Sequence, residues 1–196
     1  MSRRLDKLGE RVYVGLVTTS DTLRVLGRAL DQAGDVLDHV RPDLLSLPTP
    51  CEDWDVAALA DHLVQAPRQF LTMMHGEQPD WGAPPPHVTE SWGAAFRSAG
   101  DDLIHEWHER TGDPSLPPAE MQIAELAMHA WDLATALGQP PAPVLDPEVA
   151  ETALRFMQGA LKPEMRGAAF GPELPVETGA GAYERLAAFA GRRTPG

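Results

Sequence analysis

Proline and glycine clusters cut this chain into segments, and within most segments apolar residues recur at three- and four-residue steps, the period of one helix face. The first stripe is Leu23, Leu26, Leu30, Ala33, Val36 and Leu37, capped by Ser20 or Asp21 and predicted to run to about Val40. Pro42, Pro48 and Pro50 end it, because proline lacks the amide that a helix interior needs. Thr49-Pro50-Cys51-Glu52 reads as a capping box opening a short turn. Asp55 then caps a second helix that carries Val56, Leu59, Leu63, Ala66, Phe70 and Met73 or Met74 on one stripe. Gly76 to Pro86 must be a loop. A third helix is predicted over Ser91–Glu109, with Trp92, Ala95, Phe96, Leu103 and Trp107 inward and Gly100 as a weak point. The fourth begins at Pro117 or Pro118 and ends at Leu137, closed by Gly138 and Pro140. A fifth spans about Asp146 to Gly159 and a last one Tyr183 to Ala190. The Gly- and Pro-rich stretch between them holds an expected short strand at Leu174 to Val176.

Such a pattern predicts an all-α protein, an up-and-down four-helix bundle with an extra C-terminal helix and little or no strand. With 196 residues there is room for one full core. The expected division is an N-terminal extension over 1–19, a helical bundle over 20–160 and a C-terminal appendage with a short helix over 161–196. The formal charge of −13 repels phosphate backbones and anionic membranes, so neither nucleic acid nor a membrane is an expected partner. Val12 to Val17 is far shorter than the roughly 20 residues of a spanning helix. One cysteine excludes an internal disulfide and fits a reducing compartment, so a cytoplasmic location is expected.

The fourth helix carries the chemistry. Glu125 and His129 lie four residues apart, one turn apart on one face, and Asp132 continues that face. Beside the stripe of Leu126, Ala130 and Leu133 such groups are costly to bury unless something pairs with them, and a metal ion would do so. A further ligand must come from another helix, and His62 is the histidine beside a strongly apolar stripe at mid-helix. Two histidines and a carboxylate suit zinc first, with nickel, iron or manganese also compatible, and leave coordination positions open. By spacing alone, a Glu and a His four apart are more often a helix-favouring surface pair, and a lone histidine beside an apolar stripe is more often a satisfied core or half-buried residue.

Other residues carry plainer readings. Cys51 follows a proline and has no histidine or basic residue beside it in sequence, so it reads as structural. Trp54 and Trp131 read as packing residues, and His105 and His108 as an exposed charged face. His75 and His87 flank the proline-rich loop. Met73, Met74, Met121 and Met128 are core filler or the lining of an apolar pocket.

Thr49-Pro50-Cys51-Glu52-Asp53-Trp54-Asp55-Val56 leading to Leu59, His62 and Leu63, together with Glu125-Leu126-Ala127-Met128-His129-Ala130-Trp131-Asp132-Leu133-Ala134 and Gly138, resembles the metal-binding domain of mycothiol-dependent maleylpyruvate isomerases, within the DinB-like superfamily of four-helix bundles. Phe170-Gly171-Pro172, Val176 and Arg185 to Arg192 are similar to a subgroup of actinobacterial metal-binding proteins in that family. The resemblance covers about residues 20 to 193. It implies a divalent metal held by His62, Glu125 and His129; Asp132 reads either as an outer partner orienting a ligand or a water, the reading favoured, or as a residue that caps and solvates the helix end. It also implies mycothiol or another small thiol as cosubstrate and an electrophilic small molecule as its target. The isomerases carry a larger C-terminal region, so the resemblance points to a thiol transferase or isomerase of different substrate. Two rivals are a thiol-independent metal hydrolase or lyase and a non-catalytic metal-binding module. Bundles of this kind also pair through an exposed helix face, which makes a homodimer an expectation.

Overall fold

The computed structural model describes residues 19–51, 54–89, 91–138, 144–167 and 169–193. Among them are six α-helices: α1 (Thr19–Leu37), α2 (Val56–Met74), α3 (Trp92–Glu109), α4 (Ala119–Leu137), α5 (Pro147–Ala160) and α6 (Ala182–Phe189). Short 3-10 turns occupy Pro42–Leu44 and Pro163–Met165. There is no strand among the described residues, only an isolated bridge between Pro48 and Asp55.

Local chemistry fixes most of these limits. Asp55, Ser91 and Asp146 accept hydrogen bonds from the Ala58, Ala94 and Glu148 amides and so cap α2, α3 and α5. Gly138 closes α4 in the left-handed region, at φ +57°, where a side chain would be strained. The first helix stops at Leu37, earlier than its periodicity suggested, because the chain tightens: the His39 and Val40 amides donate to Val36 and Leu37. Val40 is still buried, so the apolar signal was real, but a turn carries it. No helix opens at Thr49. Its hydroxyl instead donates to the Cys51 and Trp54 carbonyls and accepts from the Cys51 amide, which shapes a compact turn. The Glu52 arm of the expected capping box and Pro140 lie outside the described residues, as does nearly all of the expected extension; α1 already includes Thr19.

Helix α1 packs on α3 and α4, and α2 packs on the same two. The four therefore close a ring in the order α1, α3, α2, α4, with α1 opposite α2 and α3 opposite α4. This is an all-α bundle of the DinB-like kind. The core is continuous and apolar, with Leu26, Leu59, Leu63, Phe70, Phe96, Leu103, Ile123, Leu126 and Leu133 fully buried. Gly100 is less a weak point than a close approach, since a β-carbon there would sit 3.3 Å from the Leu30 side chain of α1. Helix α5 lies against α4 and α1, and α6 against α5 and α4. Among the described residues no helix is long and apolar enough to cross a membrane.

The C-terminal segment is tied down without a strand. Leu174 donates its amide to Ala188 at the end of α6, and no ladder follows, so the strand expected at Leu174 to Val176 is absent. Arg166 donates to the Gly171 and Phe189 carbonyls. Gly191, at φ +76°, approaches Gly171 so closely that a β-carbon on it would sit 2.6 Å from the Gly171 backbone. That contact seats the strap of residues 161–171 on the turn that follows α6.

Candidate metal centre

The bundle brings His62, Glu125 and His129 together. From α2, His62 Nε2 lies 2.7 Å from Glu125 Oε1, and from α4, His129 Nε2 lies 3.3 Å from the same oxygen. One potential ligand atom from each of the three lies within 4.8 Å of the others. Ligands around a tetrahedral ion with bonds of about 2.0–2.2 Å stand roughly 3.3 Å apart, so the spacing and the donor set fit a divalent ion. Both imidazoles are buried, while Glu125 is about a quarter exposed and keeps a route to solvent.

Electrostatics reinforces the cluster. Burial disfavours the charged form of each group, but the opposite charges and hydrogen bonds prevail. The His129 charge and its hydrogen bond, with His62 behind them, hold the Glu125 carboxyl well below its usual range. Glu125, with Asp132 on the other side, pushes His129 up to about 9. Without an ion, the pair therefore holds a proton on His129 at neutral pH.

Around these three stand Asp132, expected from its place on the same helix face, and other groups that the order of residues along the chain concealed. Asp132 is fully buried, with its Oδ2 3.3 Å from His129 Nδ1 and accepting from Arg192 Nε at 3.2 Å. His129 Nδ1 and Asp132 Oδ1 nevertheless have no well-formed hydrogen bond among the described residues. Arg192, named in the sequence only as part of a C-terminal stretch, reaches the centre from beyond α6 and also donates to the Ala169 carbonyl. Cys51, read from the sequence as structural, is buried close to the centre. Though no histidine stands beside it in sequence, its sulfur lies within 4.8 Å of ligand atoms of His129 and Asp132. Trp54 packs on the imidazoles themselves, its ring 4.3 Å from His62 and 5.3 Å from His129 between centroids. Trp131 points elsewhere, half-buried beside Leu174 to Ala180. No sequence signal placed Cys51 or Arg192 here, since both arrive through long-range packing.

The remaining histidines stay apart. His105 and His108 are exposed on α3, and His75 faces Glu106 at 3.3 Å at the end of α2. His87 Nδ1 lies 2.7 Å from Asp61 Oδ2, and Asp61 also accepts from the Val88 amide and the Trp92 indole. This clasp pins the end of the proline-rich loop to α2. Met121 and Met128, by contrast, face a cavity of about 330 Å³ that reaches Glu125 and His129 from between α4 and α5.

A bundle of this architecture, with two imidazoles and a carboxylate converging beside an apolar cavity, defines a class of helical proteins with a candidate metal centre. A family model described as mycothiol maleylpyruvate isomerase N-terminal domain matches residues 26–113, a stretch that includes His62 and ends before Glu125 and His129. Two uncharacterized proteins of Mycobacterium tuberculosis, from strains CDC 1551 and H37Rv, are each 31% identical over 188 residues, covering 88% of this chain and 98% of the relative. The chain belongs to the family of the mycothiol maleylpyruvate isomerase N-terminal domain. No solved structure matches it.

Proposed function

We propose that this protein is a metal-dependent thiol transferase or isomerase, in which a divalent ion, zinc by preference, is held by His62, Glu125 and His129. The observation that carries this reading is the convergence of both imidazole Nε2 atoms on Glu125 Oε1, with Glu125 and His129 lining a cavity. Three protein ligands leave a position open. The chemistry a bound ion supplies is to keep an incoming small thiol, mycothiol or a related one, in its thiolate form at neutral pH. The chain does the rest. Asp132 sits behind His129 Nδ1 and orients that ring, while Arg192 holds Asp132 in place. Trp54 covers the two imidazoles and keeps water from their outer faces. Glu125 lowers the net charge of the centre and is its most exposed member.

The access given by the cavity favours catalysis over a purely structural ion, which would be closed on all sides. Family membership favours a thiol over water as the activated group. The test is direct: metal-loaded protein is incubated with mycothiol and a panel of electrophiles, and adducts are followed by mass spectrometry. Adduct formation well above the uncatalysed rate, lost in His62→Ala and His129→Ala, is expected. Turnover of the panel in thiol-free buffer would select a hydrolase or lyase instead.

A further inference from the structure

The cavity that opens onto Glu125 and His129 has a lining that says more about its occupant than the centre itself does. Its α4 wall carries Met121 and Met128, its α5 wall Phe156 and Met157, and its roof, the strap after α5, Met165 and Phe170. At about 330 Å³ it sits at the small end of the roughly 300–1,000 Å³ typical of small-molecule sites. A helix, about 10 Å across with its side chains, would not fit, and an extended peptide would bring unpaired backbone amides against an apolar wall. The polar side chains of its lining are Glu125, His129 and Arg192. Arg192 is already committed, with Nε on Asp132, Nη1 on the Ala169 carbonyl and its guanidinium 5.9 Å from the Phe170 ring centre. It compensates a buried carboxylate and does not stand as a free clamp for an anion.

We infer that the cavity takes a small apolar molecule, an aromatic or branched aliphatic electrophile whose single polar, reacting end meets the centre at Glu125 and His129. Four methionines around one space suit this, because an unbranched thioether adapts to rings of differing shape and makes favourable contacts with their edges. Met165 is 61% exposed, an apolar side chain left in water at the mouth of the cavity where an occupant would cover it. A dicarboxylate suits the same lining poorly, since apart from Arg192, whose Nε and Nη1 are already engaged, its second charge would lie among methionine and phenylalanine side chains. The reacting end is taken from the thiol-transfer reading above, whereas the choice of an apolar occupant rests on the cavity alone.

The experiment uses full-length, metal-loaded protein with carbon-13-labelled methionine methyl groups, titrated separately with benzylideneacetone, an aromatic enone, and with maleate. The enone is expected to shift the methyl signals of Met121, Met128 and Met157 with sub-millimolar affinity, and maleate to leave them in place. Ala160, exposed at the end of α5 and lining the cavity, allows a variant with little risk to folding. Ala160→Trp should weaken enone binding at least tenfold with metal content unchanged. Maleate shifting the same signals as strongly as the enone, or enone binding indifferent to Ala160→Trp, would overturn the inference. Enone binding in the cavity without any thiol adduct would uphold it while defeating the thiol-transfer reading. Adducts with dicarboxylates but none with apolar electrophiles would do the reverse.

Discussion

Asp61 and His62 are adjacent on α2 and both are buried, yet the fold answers their polarity in opposite ways. Asp61 turns toward the proline-rich loop, where an amide, an indole N–H and the His87 ring meet its two oxygens. His62 turns inward to Glu125, beyond which the polar chain continues through His129 to Asp132 and ends in buried atoms without good partners. A carboxylate saturated by neutral donors and a nearby ring is the signature of a structural clasp. A connected set of titratable groups that ends in unpartnered buried atoms is the pattern a bound ion would complete. The difference teaches that burial of a polar residue does not by itself mark a site, and that the state of its partners does.

The largest test of this contrast is the exchange of neighbours. His62→Ala should lower zinc affinity by on the order of 100–1,000-fold, taking roughly 10–16 kcal/mol for a four-ligand zinc site as about 3–4 kcal/mol per ligand. Asp61→Ala should leave zinc content intact; elemental analysis after dialysis reads both, and equal losses would erase the distinction. Stability should show the converse, because removing Asp61 strands three donors: a loss of about 2–3 kcal/mol in urea unfolding, with a loosened loop visible in hydrogen exchange of Val88. Next comes Asp132→Asn, which keeps the shape behind His129 but weakens its orientation and should cost about 10–100-fold in metal affinity. The last effect concerns pH. His129 is raised to about 9, so its contribution to the metal-free fold is complete below the ordinary imidazole value and is lost as pH rises through about 9. Metal-free protein should therefore lose roughly 2–3 kcal/mol between pH 6.5 and 9, while metal-loaded protein, with an ion in place of that proton, should not.

How far the sequence alone reached depends on the range of the interaction concerned. Caps act within three residues, so Asp55, Ser91, Asp146 and Gly138 mark helix ends legibly. The pairing of Glu125 with His129 is equally local, being one helical turn. His62 needed the packing of α2 on α4, and the resemblance, more than its spacing, singled it out. Cys51 lies 78 positions before His129, and Arg192 lies 60 positions after Asp132, so no window of sequence contains either encounter. The strand expected at Leu174 to Val176 failed for a related reason. The segment has a helix end to lean on, a proline at its centre and, among the described residues, no second strand to pair with.

The close seating of Gly171 on Gly191 has a consequence for how such a protein could be re-tooled. It anchors the strap bearing Met165 and Phe170 to the far end of the chain, whereas the three candidate ligands stand on α2 and α4. Exchanging residues 161–171 for another sequence that keeps Gly171 should therefore redirect which compound is admitted without retuning the candidate ligand set, as one changes a lock's wards and leaves its bolt.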